Sequence, residues 1–266
     1  MKVSVIVPTY KPQAYLWECL ESIYNQTFPK TEYELVLVLN GDCNPYDVQI
    51  KDWLSKHSDL QVQYLQTDEA GVSNARNMAL NVARGGYFLF VDDDDYVSPA
   101  YILELYRAVT RSIVSFSDAV SFDDETKQYD VENALYHVFA SKSNRRLYSI
   151  FSVKKFYGAP VRKLISRDII GNRRFDVRFK NGEDTLFFFL ISDRIKYSRP
   201  AKDNAVYYRR CRSSSAHFRQ KTRIEKIRLG ANLISTLCKY YFKAPTHYNL
   251  PFFITRLLGA FKIIIT

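Results

Sequence analysis

The sequence predicts an α/β fold built on a mostly parallel sheet with helices on both faces. Two observations predict this fold. Short apolar runs alternate with segments whose apolar residues follow helical spacing, which is the pattern of consecutive βαβ units. The short runs are also apolar at nearly every position, as expected for strands that are buried on both faces of a sheet.

Four strands and three helices are predicted in the first part of the chain. The predicted strands are Val3–Val7, Leu35–Leu39, Val62–Leu65 and Tyr87–Val91, and the predicted helices are Pro12–Gln26, Asp47–Lys56 and Gly71–Ala83. The strands are rich in Val, Ile, Leu and Phe, whereas the first helix repeats apolar residues three or four positions apart. In such sheets ligands bind beyond the carboxyl ends of the strands, so the polar residues that follow each strand indicate a functional edge.

The second half of the chain is less regular. Val114–Phe122 and Pro160–Ile165 are predicted strands, and the apolar run Leu186–Ile191 is a predicted helix with two acids at its start. Arg223–Phe242 carries an apolar stripe typical of an amphipathic helix. We find no internal repeat or low-complexity linker. The sequence therefore predicts one α/β domain over residues 1–215, followed by a helical, basic and apolar extension over residues 216–266.

The composition limits the cellular setting. Four cysteines lie far apart in the sequence and form no CxxC pair, which indicates neither a disulfide framework nor a zinc site. The N-terminal apolar run is interrupted at Pro8 and is too short for a secretory signal. No apolar stretch reaches the ~20 residues that a membrane-spanning helix needs. We therefore expect a cytoplasmic protein.

The positive charge is concentrated near the C-terminus. Residues 196–266 carry 15 Lys and Arg against Asp203 and Glu225, out of a net charge of +10 for the whole chain. The last apolar run, residues 252–265, is too short to span a bilayer but fits an interfacial segment. Contact with an anionic membrane surface is one interpretation, and packing against the domain or against a second subunit is the other. The oligomeric state stays open.

Four consecutive aspartates, Asp92 to Asp95, follow the fourth predicted strand. Alternate residues of an extended chain share a face, so Asp92 and Asp94 can converge. Adjacent carboxylates repel one another unless a cation is present, and oxygen ligands suit Mg²⁺ or Mn²⁺. The run predicts a metal site, although an acidic turn before the next helix would give the same pattern.

Four motifs occur in order along the chain. They are Val3-Ser4-Val5-Ile6-Val7-Pro8-Thr9-Tyr10, Gly71-Val72-Ser73-Asn74-Ala75-Arg76-Asn77, Phe90-Val91-Asp92-Asp93-Asp94-Asp95 and Gly182-Glu183-Asp184. In this order and spacing they resemble the family 2 glycosyltransferases over about residues 1–210. The resemblance implies the GT-A fold, a nucleotide-sugar donor and inversion of the anomeric centre.

The resemblance also implies roles for the residues that bind the donor. Thr9 and Asn40 would line the nucleoside pocket, and Asp68 or Glu69 would border it. Arg76 would lie near the base and diphosphate. The family often has Asp at the position of Asn40, so the base is uncertain, with a UDP-sugar favoured and GDP- or dTDP-sugars as alternatives.

Further roles concern the metal and the reaction. Asp92 and Asp93 would face the donor, and Asp92 and Asp94 would hold Mn²⁺ or Mg²⁺. Asp184 matches the family's general base, with Glu183 beside it. Arg210 and Arg212 lie where relatives have a mobile loop that closes over the diphosphate, and the guanidinium group suits phosphate.

These observations predict an inverting, metal-dependent glycosyltransferase that adds single sugars to a glycan or lipid-linked acceptor in cell-surface polysaccharide synthesis. The alternative is a sugar-nucleotide nucleotidyltransferase, which should carry a Gly-rich phosphate loop where this chain has Pro8-Thr9-Tyr10-Lys11-Pro12. A nucleic-acid-binding module would explain the positive charge but not the four aspartates. No GxGxxG motif follows a strand, which disfavours a dinucleotide-binding dehydrogenase.

Overall fold

The computed structural model describes residues 1–130, 146–202, 204–212 and 222–265. The strands are β1 (Val3–Thr9), β2 (Tyr33–Asn40), β3 (Gln61–Thr67), β4 (Tyr87–Phe90), β5 (Tyr96–Val97), β6 (Ile113–Phe116), β7 (Asp118–Asp123), β8 (Tyr129–Asp130), β9 (Lys163–Ser166), β10 (Tyr197–Pro200) and β11 (Val206–Cys211). The helices are α1 (Tyr15–Tyr24), α2 (Tyr46–Lys56), α3 (Val72–Val82), α4 (Tyr101–Ala108), α5 (Arg167–Ile170), α6 (Glu183–Ile191), α7 (Arg223–Lys243) and α8 (Leu250–Ile265).

Within these residues the strands form two sheets. The larger has seven strands in the order β10-β6-β9-β4-β1-β2-β3, and the smaller has four in the order β5-β11-β7-β8. In the larger sheet β1 is parallel to both β2 and β4, and β2 is parallel to β3, whereas β9 is antiparallel to its neighbours β4 and β6. The predicted α/β fold with a mostly parallel sheet is confirmed.

Both faces of the larger sheet are covered, as the continuous apolar strands predicted. Val5 and Leu37 belong to a buried cluster with residues of α1, α2 and α4. The neighbouring residues Ile6 and Val36 point the other way, into a cluster with α3, α6, α7 and α8. Because side chains alternate along a strand, a strand buried on both faces is apolar at most positions. The buried exceptions Ser4 and Glu34 are hydrogen-bonded to each other.

Two predicted strands differ from the structure. The run Val114–Phe122 is not one strand, because the chain leaves the larger sheet at Phe116 and joins the smaller one at Asp118. Pro160–Ile165 begins too early, since β9 starts at Lys163. Arg162 has a positive φ of 67°, which interrupts the extended backbone just before β9.

The predicted C-terminal helix is confirmed as α7, whose first turn is held by a capping box between Thr222 and Glu225. The last apolar run forms α8, which packs against α7. Gly230 allows this approach, because a Cβ there would lie 2.8 Å from the carbonyl oxygen of Ala260. Among the described residues no helix is both long and apolar enough to cross a membrane. The predicted domain boundary at residue 215 lies outside the described residues and stays a prediction.

Candidate active site

The carboxyl ends of β4, β1, β2 and β3 meet at one edge of the larger sheet, and Asn40 joins them there. This residue is 2% exposed, and its Nδ2 donates to the Thr9 carbonyl oxygen at 2.7 Å. Its Oδ1 accepts a hydrogen bond from the Gly71 amide at 2.9 Å. Only an amide side chain can donate and accept in this way. Asn40 thus fixes the end of β2 to β1 and to the start of α3.

Two of the four aspartates turn into the protein. Asp93 accepts a hydrogen bond from the Thr9 hydroxyl at 2.5 Å, and Asp95 accepts one from the Tyr207 hydroxyl at 2.6 Å and one from the Arg210 amide at 2.8 Å. Burial raises the pKa of Asp93 to about 7, and burial with the neighbouring carboxylates raises the pKa of Asp95 well above its ordinary value. These two side chains anchor the loop to β1 and β11.

The other two aspartates keep more contact with solvent. The side chains of Asp92 and Asp94 are 40% and 23% exposed. Asp92 Oδ1 lies 3.2 Å from Arg76 Nη2, and Asp94 Oδ2 lies 2.5 Å from Arg212 Nη2. Each carboxylate is therefore balanced by a guanidinium group, which offsets the repulsion within the run.

Arg76 connects this loop to the start of α6. It is 4% exposed, and its Nη1 donates to Asp184 Oδ1 at 3.0 Å while Nη2 holds Asp92. Glu183 Oε1 is 4.0 Å from the same Nη1. The structure thus brings together Arg76, Asp92 and Asp184, which lie in three different motifs. All three were predicted site residues.

Asp184 lies in the first turn of α6, as predicted. Gly182 precedes the helix with φ of 82°, a left-handed conformation that favours glycine. The Asp184 side chain is 20% exposed, and burial raises its pKa to about 7, with a contribution from Glu183 and against the opposing effect of Arg76. A carboxylate with a near-neutral pKa at an open edge has the properties of a general base.

The placement of Arg210 in a loop is wrong. Arg210 lies in β11, is 6% exposed, and its guanidinium group contacts Glu18, Asp124 and the Asp94 carbonyl oxygen. It connects the aspartate loop to the smaller sheet. Strand pairing with β7 holds this segment extended, which the basic composition alone could not indicate.

Two further predicted site residues, Arg212 and Asp68, are more exposed than Arg210. Arg212 follows β11, and its guanidinium carbon lies 4.3 Å from the centre of the Tyr15 ring. The rest of the predicted loop, residues 213–215, lies outside the described residues. Asp68 is exposed on the segment after β3, beside Cys43, whose pKa rises through burial and the nearby carboxylates. The donor-binding roles assigned to these residues stay predictions.

Comparison with known sequences decides the family. The family described as Glycosyl transferase family 2 matches residues 4–173. The chain belongs to glycosyl transferase family 2. The match includes Arg76 and the four aspartates of this family 2 chain, whereas Asp184 lies beyond its end.

Two named relatives match most of this family 2 chain. The poly(ribitol-phosphate) beta-N-acetylglucosaminyltransferase TarS of Staphylococcus aureus is 32% identical over 78% of this chain and 35% of its own length. The minor teichoic acid biosynthesis protein GgaB of Bacillus subtilis is 27% identical over 91% of this chain and 27% of its own. The chain spans about a third of the length of such relatives.

Solved structures show the same fold. S. aureus TarS 1-349 in complex with UDP-GlcNAc has a TM-score of 0.70 at 22% identity, covering 99% of this chain and 70% of that one. The mannosyltransferase PcManGT of Pyrobaculum calidifontis, in complex with GDP-Man and Mn²⁺, has a TM-score of 0.60 at 19% identity, covering 99% and 69%. These neighbours are GT-A glycosyltransferases, so the predicted GT-A fold is confirmed.

The chemistry of the aspartate loop fits a divalent cation that is shared with a substrate. In the described part of the chain, no group of three or more His, Cys, Asp or Glu side chains is arranged to hold a metal. Mg²⁺ and Mn²⁺ sites that include phosphate oxygens commonly use only one or two protein carboxylates. Asp92 and Asp94 are paired with guanidinium groups, and their own side chains are 40% and 23% exposed, so they can supply this number of ligands.

Sequence analysis missed two residues that organise the site. The Tyr207 hydroxyl donates to Asp95 and accepts from the Asp92 amide at 3.2 Å, so it fixes the loop from the smaller sheet. Lys163 is 1% exposed and donates to the Val161 carbonyl oxygen at 2.9 Å, and burial holds its pKa well below the ordinary value. No local pattern identifies Tyr207.

Proposed function

We propose that this protein is an inverting, metal-dependent glycosyltransferase that moves one sugar from a nucleotide-diphosphate sugar to a hydroxyl of a cell-surface glycan. One observation carries the proposal. Arg76 joins Asp92, a carboxylate suited to a donor-bound cation, to Asp184, a carboxylate with a pKa of about 7. A donor side and a base side therefore lie one guanidinium group apart.

The donor would lie over the carboxyl ends of β4, β1 and β2. Thr9 and Asn40 would shape the nucleoside pocket, with Asp68 at its border. Asp92 and Asp94 would hold Mn²⁺ or Mg²⁺, which would supply positive charge to stabilise the leaving diphosphate. Arg212, which contacts Asp94, would be available to pair with the diphosphate if a cation took over that carboxylate. The neighbour solved with GDP-Man and Mn²⁺ supports a metal, and the neighbour with the higher TM-score, solved with UDP-GlcNAc, favours a UDP-sugar.

The acceptor would be activated by Asp184. Its carboxylate takes the proton of the acceptor hydroxyl while that oxygen attacks the anomeric carbon. The bond from this carbon to the diphosphate oxygen breaks in the same step, so attack opposite the leaving group inverts the configuration. Arg76 keeps Asp184 oriented and stabilises its charged form. Glu183 has the opposite effect and keeps the pKa of Asp184 high enough for it to accept a proton near neutral pH.

The acceptor proposal comes from the relatives. Three of them are named for poly(ribitol-phosphate) or minor teichoic acid, which are phosphate-containing polymers. We propose a polyol hydroxyl of such a polymer, or of its lipid-linked precursor, as the acceptor. The net charge of +10 favours a polyanionic substrate.

Attachment to the inner face of the membrane would bring the enzyme to this acceptor. The face of α8 that points away from the core forms an outer stripe of exposed apolar residues: Ile254, Leu258, Phe261 and Ile265. The helix has no acidic residue, and Lys262 lies beside the stripe. An apolar stripe with basic neighbours fits an anionic lipid surface.

The test is a thermal-shift comparison of UDP-, GDP- and dTDP-sugars with and without Mn²⁺. A ligand at a hundred times its Kd stabilises the folded state by about 2.7 kcal/mol. We expect stabilisation by a UDP-sugar that requires the metal, followed by sugar transfer to a ribitol-phosphate oligomer. A nucleotidyltransferase would instead form a nucleotide-sugar from a nucleoside triphosphate and a sugar phosphate, and that product would refute the proposal.

A further inference from the structure

Two arginines near the aspartate loop, Arg162 and Arg209, lie close to each other. The chain places them on neighbouring segments, because the Ser117 amide donates to the Arg162 carbonyl oxygen and Arg209 pairs with Ser121 of β7. The guanidinium groups of Arg76, Arg210 and Arg212 each contact a carboxylate. Those of Arg162 and Arg209, in contrast, form no hydrogen bond and no ion pair within the described part of the chain. Arg162 is half-buried, with the Asp118 carboxylate near it, and Arg209 is exposed. Two guanidinium groups that lie close together repel each other, so an anion that contacts both would be stabilised.

Arg162 lies directly beside the strand that leads into the aspartates. Val161 forms a bridge with Phe90, the last residue of β4, and the next residue, Arg162, has φ of 67°. Its guanidinium carbon is 5.2 Å from the centre of the Phe156 ring. Burial lowers the pKa of Arg162, whereas the nearby Tyr101 and Tyr207 hydroxyls and the Asp118 carboxylate raise it. Arg162, with its unusual backbone conformation, therefore lies close to Tyr207, which contacts the aspartate loop.

Arg209 lies on the same side of the smaller sheet as Tyr207, because alternate residues of β11 share a face. The Tyr207 hydroxyl contacts Asp95 and the Asp92 amide, and Arg209 is close enough to Arg162 to lower its pKa. Arg209 also lines an open groove of about 770 Å³. Other residues of this groove include Ser121, Asp123, Thr126, Gln128 and Tyr129.

The topology separates this pair from the proposed donor pocket. In the larger sheet β4 lies between β9 and β1. The donor pocket uses the ends of β1 and β2, on one side of Asp92. Arg162 precedes β9 and is therefore on the other side of that aspartate. A phosphate bound there would belong to the acceptor and not to the donor diphosphate.

We propose that Arg162 and Arg209 form a phosphate-binding subsite for a phosphodiester-containing acceptor, which continues along the groove beside β7 and β11. The inference rests on the proposed glycosyltransferase function and identifies the acceptor by its charge. Planar guanidinium groups match phosphate oxygens, and two of them can hold one phosphodiester or two successive ones. The polar side chains of the groove suit the hydroxyls of a polyol. Asp123 also lines the groove, and the hydrogen bonds that its carboxylate accepts from the amides of Glu125 and Thr126 offset part of its repulsion of a phosphate.

The test measures binding of a short synthetic ribitol-phosphate oligomer by calorimetry, in the presence of UDP and Mn²⁺. The variants are Arg162→Gln and Arg209→Gln, and the matched control is Arg111→Gln. Arg111 is an 88% exposed arginine at the amino end of β6, with only a 3.8 Å ion pair to Asp168. All three changes remove one positive charge, so a general charge effect would be equal in all of them.

We expect each subsite variant to weaken oligomer binding about tenfold or more, as typical for the loss of a charged hydrogen bond, and the control to bind normally. Affinity for the UDP-sugar should be unchanged in all three. Free ribitol should not bind, and inorganic phosphate should compete only weakly, because a single phosphate uses part of the subsite. Arg162→Lys should bind better than Arg162→Gln, since it keeps the charge.

Several results would overturn the inference. These are equal oligomer binding by the wild type and both subsite variants, an equal loss in the Arg111 control, or a loss of UDP-sugar affinity in place of oligomer affinity. If Arg162→Gln does not fold, Arg209→Gln, which changes an exposed side chain, decides the question alone. A wild-type protein that binds the UDP-sugar but not the oligomer refutes this subsite only, whereas one that binds no nucleotide-sugar refutes the proposed function.

Discussion

Replacement of Asp184 by Asn is the sharpest test of the proposed mechanism. The Asn side chain has the same shape, and its Oδ1 can still accept the 3.0 Å hydrogen bond from Arg76. The change removes only the negative charge that receives the proton. Turnover should therefore fall by ~10²–10⁴-fold, the usual effect of losing a general base. Affinity for the donor should stay nearly the same, because the proposed donor ligands lie on Asp92 and Asp94.

The pH dependence tests the same carboxylate independently. Burial raises the pKa of Asp184 to about 7, and only the deprotonated form can accept a proton. The wild-type kcat/KM should therefore rise with pH and level off above about pH 7. Glu183→Gln removes a neighbouring negative charge that raises the pKa of Asp184, so the rise should move to lower pH without a large loss of maximal rate.

The assay is steady-state transfer from a UDP-sugar to a ribitol-phosphate oligomer between about pH 5 and pH 9, with donor affinity measured separately by calorimetry. Full activity of Asp184→Asn would refute the proposed base. A larger loss in Glu183→Gln than in Asp184→Asn would move the role to Glu183. A wild-type profile that is flat across neutral pH would show that proton transfer to Asp184 does not limit the reaction.

Three further predictions concern the metal, the sheet edge and the membrane. Asp94→Ala should abolish the Mn²⁺ dependence of UDP binding in calorimetry without changing Tm, and unchanged dependence would exclude Asp94 as a ligand. Asn40→Asp should lower the free energy of unfolding by about 1–3 kcal/mol in urea titrations, because the buried side chain can no longer donate to a carbonyl oxygen; wild-type stability would contradict this. The double change Leu258→Ser and Phe261→Ser should reduce co-sedimentation with anionic vesicles. Val48→Ser, at another exposed apolar residue, should not reduce it. Equal binding by both variants would exclude the outer stripe as the membrane-binding surface.

The parts of the fold that local patterns determine were predicted well. Apolar runs identified β1, β2 and β4, because strands between two helical layers are largely apolar on both sides. The edge strand β3 was identified from the shorter run Val62–Leu65, which contains Gln63. The prediction failed where the backbone changes direction without a change in composition. Ser117 lies between β6 and β7 in an apolar stretch, and the hydrogen bond from its amide to the Arg162 carbonyl oxygen marks the point where the chain changes sheets.

The same distinction explains which residues of the site were predicted from the sequence and which were missed. Arg76, Asp92 and Asp184 were predicted because each lies in a motif with a recognisable position relative to a strand or helix. Their joint contacts could not be predicted, since Arg76 and Asp184 are 108 residues apart and no sequence pattern gives a distance between them. Tyr207 was missed for this reason. It lies in an ordinary strand and acts only through a hydrogen bond to a loop 112 residues earlier.

The four aspartates have two different roles. Asp93 and Asp95 are paired with hydroxyls and an amide of the protein, so their roles are to hold the loop between β1 and β11. Asp92 and Asp94 are paired with guanidinium groups. A divalent cation can replace such a pairing, whereas it would have to break buried hydrogen bonds to reach the other two. Alternation along the chain therefore separates the carboxylates that anchor the loop from those that can exchange an arginine for a metal, and one of the latter, Asp92, is joined to the proposed base Asp184 by Arg76.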